Sequence, residues 1–168
     1  MAETHEKLKF ILLFAVAVAA AAVCFIANIA FPQKYEKEIA RASEAFGVEA
    51  PLIRAVILAE SGYDESALSA AGASGLMQLM PGTRAMMSER TGIAADGSAE
   101  SEIMLGTAYL SLMLETFDSE DDALAAYNAG PANVARWNEN GEEPFGETRE
   151  YVAKVKLYRR VYARIFAI

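Results

Sequence analysis

The chain has 168 residues, a formal net charge of −8 at pH 7, one histidine (His5) and one cysteine (Cys24). That length holds one ordinary domain, or a small one plus an appendage, and the acidic balance excludes nucleic acid, whose phosphates call for a basic face. Beyond residue 31 there is neither histidine nor cysteine, so no Ser-His-Asp or Cys-His set and no His- or Cys-ligated zinc site can form there. Acid–base chemistry in that part falls to Asp, Glu, Lys or Tyr, and no metal or other cofactor is expected.

The first nine residues form a short polar tip. Phe10–Phe31, FILLFAVAVAAAAVCFIANIAF, then runs without an ionisable side chain apart from Cys24. As a helix it would extend about 33 Å at roughly 1.5 Å per residue, enough for a bilayer core. A cleavable signal sequence has a shorter apolar core, about 7–15 residues, ending at small residues. This run is longer and closes on bulky Phe25, Ile26, Ile29 and Phe31, so residues 10–31 predict a retained transmembrane anchor, with a signal sequence as the alternative. The basic residues flanking it, Lys7 and Lys9 before and Lys34, Lys37 and Arg41 after, leave its orientation undetermined.

Lys7 and Lys9 cancel Glu3 and Glu6, so the net charge belongs to residues 32–168, which read as one domain of helices with short breaks. Gln33–Phe46 is charged and amphipathic, with Gly47 as its stop. Pro51 suits the first turn of a second helix reaching about Glu60, and Met80-Pro81-Gly82-Thr83 leads into a third ending near Gly92. Asp96-Gly97-Ser98 is turn and N-cap chemistry for a long helix over 99–117, whose Leu110, Met113, Leu114 and Phe117 make a core stripe.

Asp118-Ser119 opens a helix through Tyr127, broken near Asn128-Ala129-Gly130-Pro131, and a short helix follows over 132–137. The last starts at Glu147 or Thr148, with Tyr151, Val155, Tyr158, Tyr162 and Ile165 on one side. No segment shows sustained period-2 alternation, so the class is mostly α, with residues 67–79 left for short irregular or β-like structure.

One carboxylate stands out. Ile57, Val56 and Ile53 lie three, four and seven positions before Glu60, so Glu60 continues an apolar stripe. It also falls in the last turn, where the helix dipole disfavours negative charge. Desolvation and dipole both raise its pKa, which suits a general acid for glycosidic cleavage. The alternative is a glutamate fraying into solvent. Asp64 and Glu65, in a polar turn, read as solvated surface.

Glu60-Ser61, followed by Ser69-x-x-Gly72-Ala73-x-Gly75-Leu76-Met77-Gln78-Leu79-Met80-Pro81, resembles the signature of lytic transglycosylases with a soluble-transglycosylase, goose-type lysozyme-like catalytic domain. Three further blocks follow in that family's order: Gly106-x-x-Tyr109-Leu110, then Ala123 to Pro131 with Val134 and Arg136-Trp137, then Glu147-Thr148-Arg149-x-Tyr151-Val152. Together they cover about residues 40–160.

The resemblance implies a lysozyme-like helical domain that cuts the β-1,4 bond between N-acetylmuramic acid and N-acetylglucosamine of peptidoglycan, leaving a 1,6-anhydro product. Glu60 would protonate the leaving oxygen and then act as base on the C6 hydroxyl, while the substrate's N-acetyl carbonyl stabilises the sugar cation. Ser69 matches a serine beside the catalytic carboxylate, and Gln78 and Met80 match a polar and an apolar cleft contact. Tyr127 matches an aromatic whose hydroxyl lies near the glutamate. Asn128 could cap its helix, contact sugar, or do both, and Glu147 matches a second acidic cleft residue. Trp137 could stack on sugar or pack in the core.

This chain departs from the family at Asp64-Glu65, where an Asn-Pro-like pair is usual, and at Glu102, where Asn is usual. Both bear on how loops are anchored. The expected partners are peptidoglycan strands and, through the span, the membrane, with the domain outside the cytoplasmic membrane. Two other readings stay open: a hydrolytic muramidase using Asp64 or Glu147 to activate water, and a non-catalytic glycan-binding scaffold.

Overall fold

Helices in this chain stop where the backbone is steered out of helical geometry. In the computed structural model, which describes residues 2–165, Gly47, Gly92 and Gly141 each end a helix in the left-handed conformation. Helices start on Pro51, Pro81 and Pro131 in the first turn, or behind Ser98 and Ser119, whose hydroxyls accept from Ser101 and Asp122 N–H. The chain divides into two units, Met1–Lys34 and Tyr35–Ile168.

The first unit carries α1 (Ala2–Ala30). Among the described residues, no helix is both long and apolar enough to cross a membrane. The transmembrane anchor expected over residues 10–31 is therefore corrected, and the membrane contact expected through it has no support. The helix begins inside the polar tip and carries Lys7 and Lys9 on its own turns. Alanine fills much of the run and contributes little apolar area to the gain on leaving water. Of the side chains noted from sequence, those of His5 and Cys24 lie outside the described residues.

The second unit holds α2 (Glu36–Phe46), α3 (Ala50–Glu60), α4 (Pro81–Thr91), α5 (Ala99–Thr116), α6 (Glu120–Ala129), α7 (Pro131–Asn140) and α8 (Gly146–Ile165). The expected helix from Gln33 starts only at Glu36, because Tyr35 takes a left-handed φ of 57°, stacks on Tyr63 and donates its hydroxyl to Glu65. The helix expected over 132–137 runs longer in both directions. Ile165, last of the stripe expected on α8, has its side chain outside those described, as do residues 166–168.

Packing follows the apolar faces. α5 lies against α2, α4 and α6, while α3 packs along α8, which also meets α6. Leu52, Ile53, Val56 and Ile57 of α3 are buried, each contributing about 1.5–3 kcal/mol on leaving water. Between α3 and α4, residues 61–80 form turns with two isolated bridges, Leu68–Ser74 and Ser74–Leu79. No strand forms among the described residues, so the β-like segment is reduced to these bridges. The mostly helical, lysozyme-like domain stands.

Candidate active site

Glu60 is the last residue of α3, placed there by the apolar face that precedes it. It lines a cavity of about 280 Å³ with Ala59, Asn128 at the end of α6, and Glu147, Glu150, Tyr151 and Lys154 of α8. Burial pushes the Glu60 carboxyl up to about 7, partly offset by the Tyr151 hydroxyl and the positive charge of Lys154. The Tyr151 hydroxyl is buried without a completed hydrogen bond. It is close enough to Glu60 for the carboxylate's charge, together with burial, to raise the phenol well above its usual range.

Lys154 Nζ donates to the Ala59 carbonyl at 3.0 Å and sits 5.8 Å from the Tyr151 ring centroid. That bond satisfies a last-turn carbonyl of α3. The Ser61 hydroxyl ties the same helix end to the following loop, donating to Leu76 O at 2.8 Å and accepting from Tyr63 N–H at 3.1 Å.

The structure brings three of the residues proposed from sequence, Glu60, Asn128 and Glu147, to one cavity, sets Ser69, Gln78 and Met80 in the loop between α3 and α4, and leaves Tyr127 on α6 bonded to that loop. Ser69 Oγ accepts from Ala73 N–H at 2.9 Å, closing a tight turn. Gln78, at a left-handed φ of 48°, donates its amide nitrogen to Ala67 O and Gly75 O at 3.0 and 2.9 Å. Its amide oxygen is what remains to meet a ligand. Met80 is 44% exposed just ahead of α4.

Tyr127 is buried, tilts against Tyr109 with ring centroids 5.3 Å apart, and donates its hydroxyl to Met77 O at 2.8 Å. It stays near enough to Glu60 for that charge to raise its phenol, though burial is the larger cause. Met77 and Leu79 are core, and so is Trp137, whose ring meets Phe145 edge-on.

Asp64 is used in its own turn, its Oδ1 accepting from Ser66 N–H and Oγ, and Glu65 accepts from Tyr35. Lys154 and the hydroxyl end of Tyr151 are the members that sequence reasoning missed. Tyr151 stood on the core stripe of α8, and Lys154 falls two residues beyond the Glu147–Val152 block. The signal for Lys154 was its spacing, three residues from Tyr151 and seven from Glu147, which puts all three on one helix face.

A larger cavity, about 480 Å³, opens on the opposite face of α8 and includes Asp121, Glu143, Arg149 and Lys156. Four of its charges pair, Lys156 with Asp121 at 2.6 Å and Arg149 with Glu143 at 3.9 Å. Among the described residues, no group of three His, Cys, Asp or Glu side chains could hold a metal ion.

A mostly helical domain with one desolvated carboxyl, held by no ion pair among the described residues and facing a polar cavity, has a lysozyme-like architecture. The chain is a member of the transglycosylase SLT domain family, whose model matches residues 37–148. It is 33% identical over 150 residues to the soluble lytic murein transglycosylase of Escherichia coli strain K12, covering 79% of this chain and 23% of that protein. It is 35% identical over 108 residues to the membrane-bound lytic murein transglycosylase F of Desulfosudis oleivorans, covering 60% of this chain and 23% of the relative.

Among solved structures it resembles an inactive glutamate-to-glutamine mutant of the lytic transglycosylase Slt from Pseudomonas aeruginosa. The TM-score is 0.77 at 33% identity, over 83% of this chain and 25% of that one. The chain thus spans about a quarter of the length of these relatives.

Proposed function

We propose that the domain is a peptidoglycan lytic transglycosylase, cleaving the β-1,4 bond between N-acetylmuramic acid and N-acetylglucosamine and leaving a 1,6-anhydro-muramic end. The observation that carries this reading is the Glu60 carboxyl, raised to about 7 by burial and facing a polar cavity. At neutral pH such a group is divided between acid and base forms, as a residue serving first as one and then as the other requires. Glu60 gives its proton to the leaving oxygen, and the substrate's N-acetyl carbonyl stabilises the cation. The resulting carboxylate then takes the proton of the C6 hydroxyl.

Asn128 and Glu147 contact sugar from the cavity wall, while Ser69, Gln78, Met80 and Tyr127 shape the adjoining loop face. The relatives' names support the substrate, and the inactive glutamate-to-glutamine mutant supports dependence on a single glutamate. The site of action is the wall, outside the cytoplasmic membrane, and residues 32–168 are the catalytic domain.

One observation favours a second reading. Glu147 shares the cavity with Glu60 and could activate water in a hydrolytic muramidase. Mass spectrometry of digested muropeptides separates the two, since the anhydro product is lighter by one water. Glu60→Gln is expected to lower product release about 100- to 10,000-fold; unchanged release would place the acid elsewhere, and no release from wild type would leave a glycan-binding scaffold.

A further inference from the structure

The two groups that bracket Glu60 are both touched by one side chain. On one side, the Ala59 carbonyl immediately before the acid accepts from Lys154 Nζ at 3.0 Å. On the other, the Tyr151 ring, whose buried hydroxyl faces the acid, has the same ammonium 5.8 Å from its centroid, within the range of a cation–π attraction. The cavity includes Lys154, and among its described lining residues that ammonium is the one cation beside Glu147 and Glu150.

We propose that Lys154 is a positioning residue for Glu60, fastening the last turn of α3 through the Ala59 carbonyl and holding Tyr151 by its ring face. The inference rests on the reading of Glu60 as the acid for its catalytic consequence, while the contacts exist independently of that reading. The α3 terminus would otherwise present its carbonyl to the cavity, adding negative potential beside a carboxyl already short of solvation. An ammonium there satisfies the carbonyl and opposes that potential together.

The other groups facing Glu60 cannot substitute. From α8 they are Tyr151, Glu147 and Glu150, and from α6 they are Asn128 and Tyr127, with Tyr109 and Glu102 of α5 behind Tyr127. All are neutral or acidic. Lys154 alone lowers the carboxyl's affinity for its proton by charge, against the larger effect of burial.

The test is a direct titration of the Glu60 carboxyl by carbon-13 NMR in wild type, Lys154→Met and Lys154→Arg, with Glu60→Gln assigning the resonance. Lys154 is exposed, so neither variant opens the core, and methionine keeps an apolar stem without donor or charge. The Glu60 midpoint is expected to move upward in Lys154→Met and to stay in place in Lys154→Arg. The alkaline limb of kcat/KM should move up with it, since the protonated acid then persists to higher pH, and kcat should fall while KM holds. An unmoved midpoint in Lys154→Met overturns the inference. If wild type releases no anhydro product, the functional reading falls, and the titration still decides the role of Lys154.

Discussion

Two glutamates leave bulk water in this domain, and their surroundings treat them in opposite ways. Glu102, in the first turn of α5, is 5% exposed and accepts from Arg84 Nη2 at 2.8 Å. The same guanidinium donates to Ser74 Oγ at 3.1 Å and Ser74 O at 2.9 Å, so the pair clamps the loop before α4. Gly75 makes this possible, since a Cβ there would stand 2.2 Å from Glu102 Oε2. Glu60, at the far end of its helix, makes no ion pair among the described residues and has a phenol and a more distant ammonium for company. Burial raises both carboxyls, and at Glu102 the Arg84 guanidinium offsets part of that rise, which still leaves it raised. Desolvation by itself does not mark a reactive acid. A carboxylate locked to a guanidinium is architecture, whereas one left without such a partner retains a proton to give.

The contrast can be broken most forcefully at Arg84. Arg84→Met leaves Glu102 buried and unpaired, and should cost about 3–5 kcal/mol of stability by urea denaturation. Adding Glu102→Gln should recover part of that loss, and equal stability of the single and double variants would refute the clamp. The sign reverses at the other carboxyl. The folded pKa of Glu60, about 7, lies above its reference of 4.5, so its contribution is fully present below about pH 4.5 and is lost as pH rises through 7. Glutamine does not titrate. Glu60→Gln should therefore gain on wild type across that window, by about 3 kcal/mol at pH 8. A gap that stays constant from pH 4 to pH 8 would contradict this.

Tyr127 sits where both regions meet, its phenol raised by burial and by the charges of Glu60 and Glu102. Tyr127→Phe strips the donor from the buried Met77 carbonyl and should cost about 1–3 kcal/mol in the same assay. A loss of activity from this variant with no change in stability would instead point to direct work on the substrate.

Much of this arrangement was legible in the residues. The caps and breakers at Gly47, Pro51, Pro81, Ser98, Ser119 and Pro131 placed the helices, because backbone geometry at those positions is decided locally. The apolar stripe ending at Glu60 singled out one carboxylate of three, and the structure uses Asp64 in its own turn and Glu65 as acceptor for Tyr35. Resemblance to the family brought out the loop residues, but not that Ser69 and Gln78 each close a turn with their own side chains. Read as a run of apolar letters, residues 10–31 promised a membrane span that the described helix does not supply.

What the sequence determined by itself was local: which segments coil, which face of each is apolar, and which glutamate ends such a face. Tertiary structure decided the rest, because the pKa of an acid depends on whatever is packed around it. Only the contact of α3 with α8 sets Tyr151 and Lys154 beside Glu60, and only the packing of α4 against α5 joins Arg84 to Glu102. Distant parts of the chain supply the partners in both cases. Hydrophobic periodicity records which side of a helix is buried, but not which polar group it will meet there.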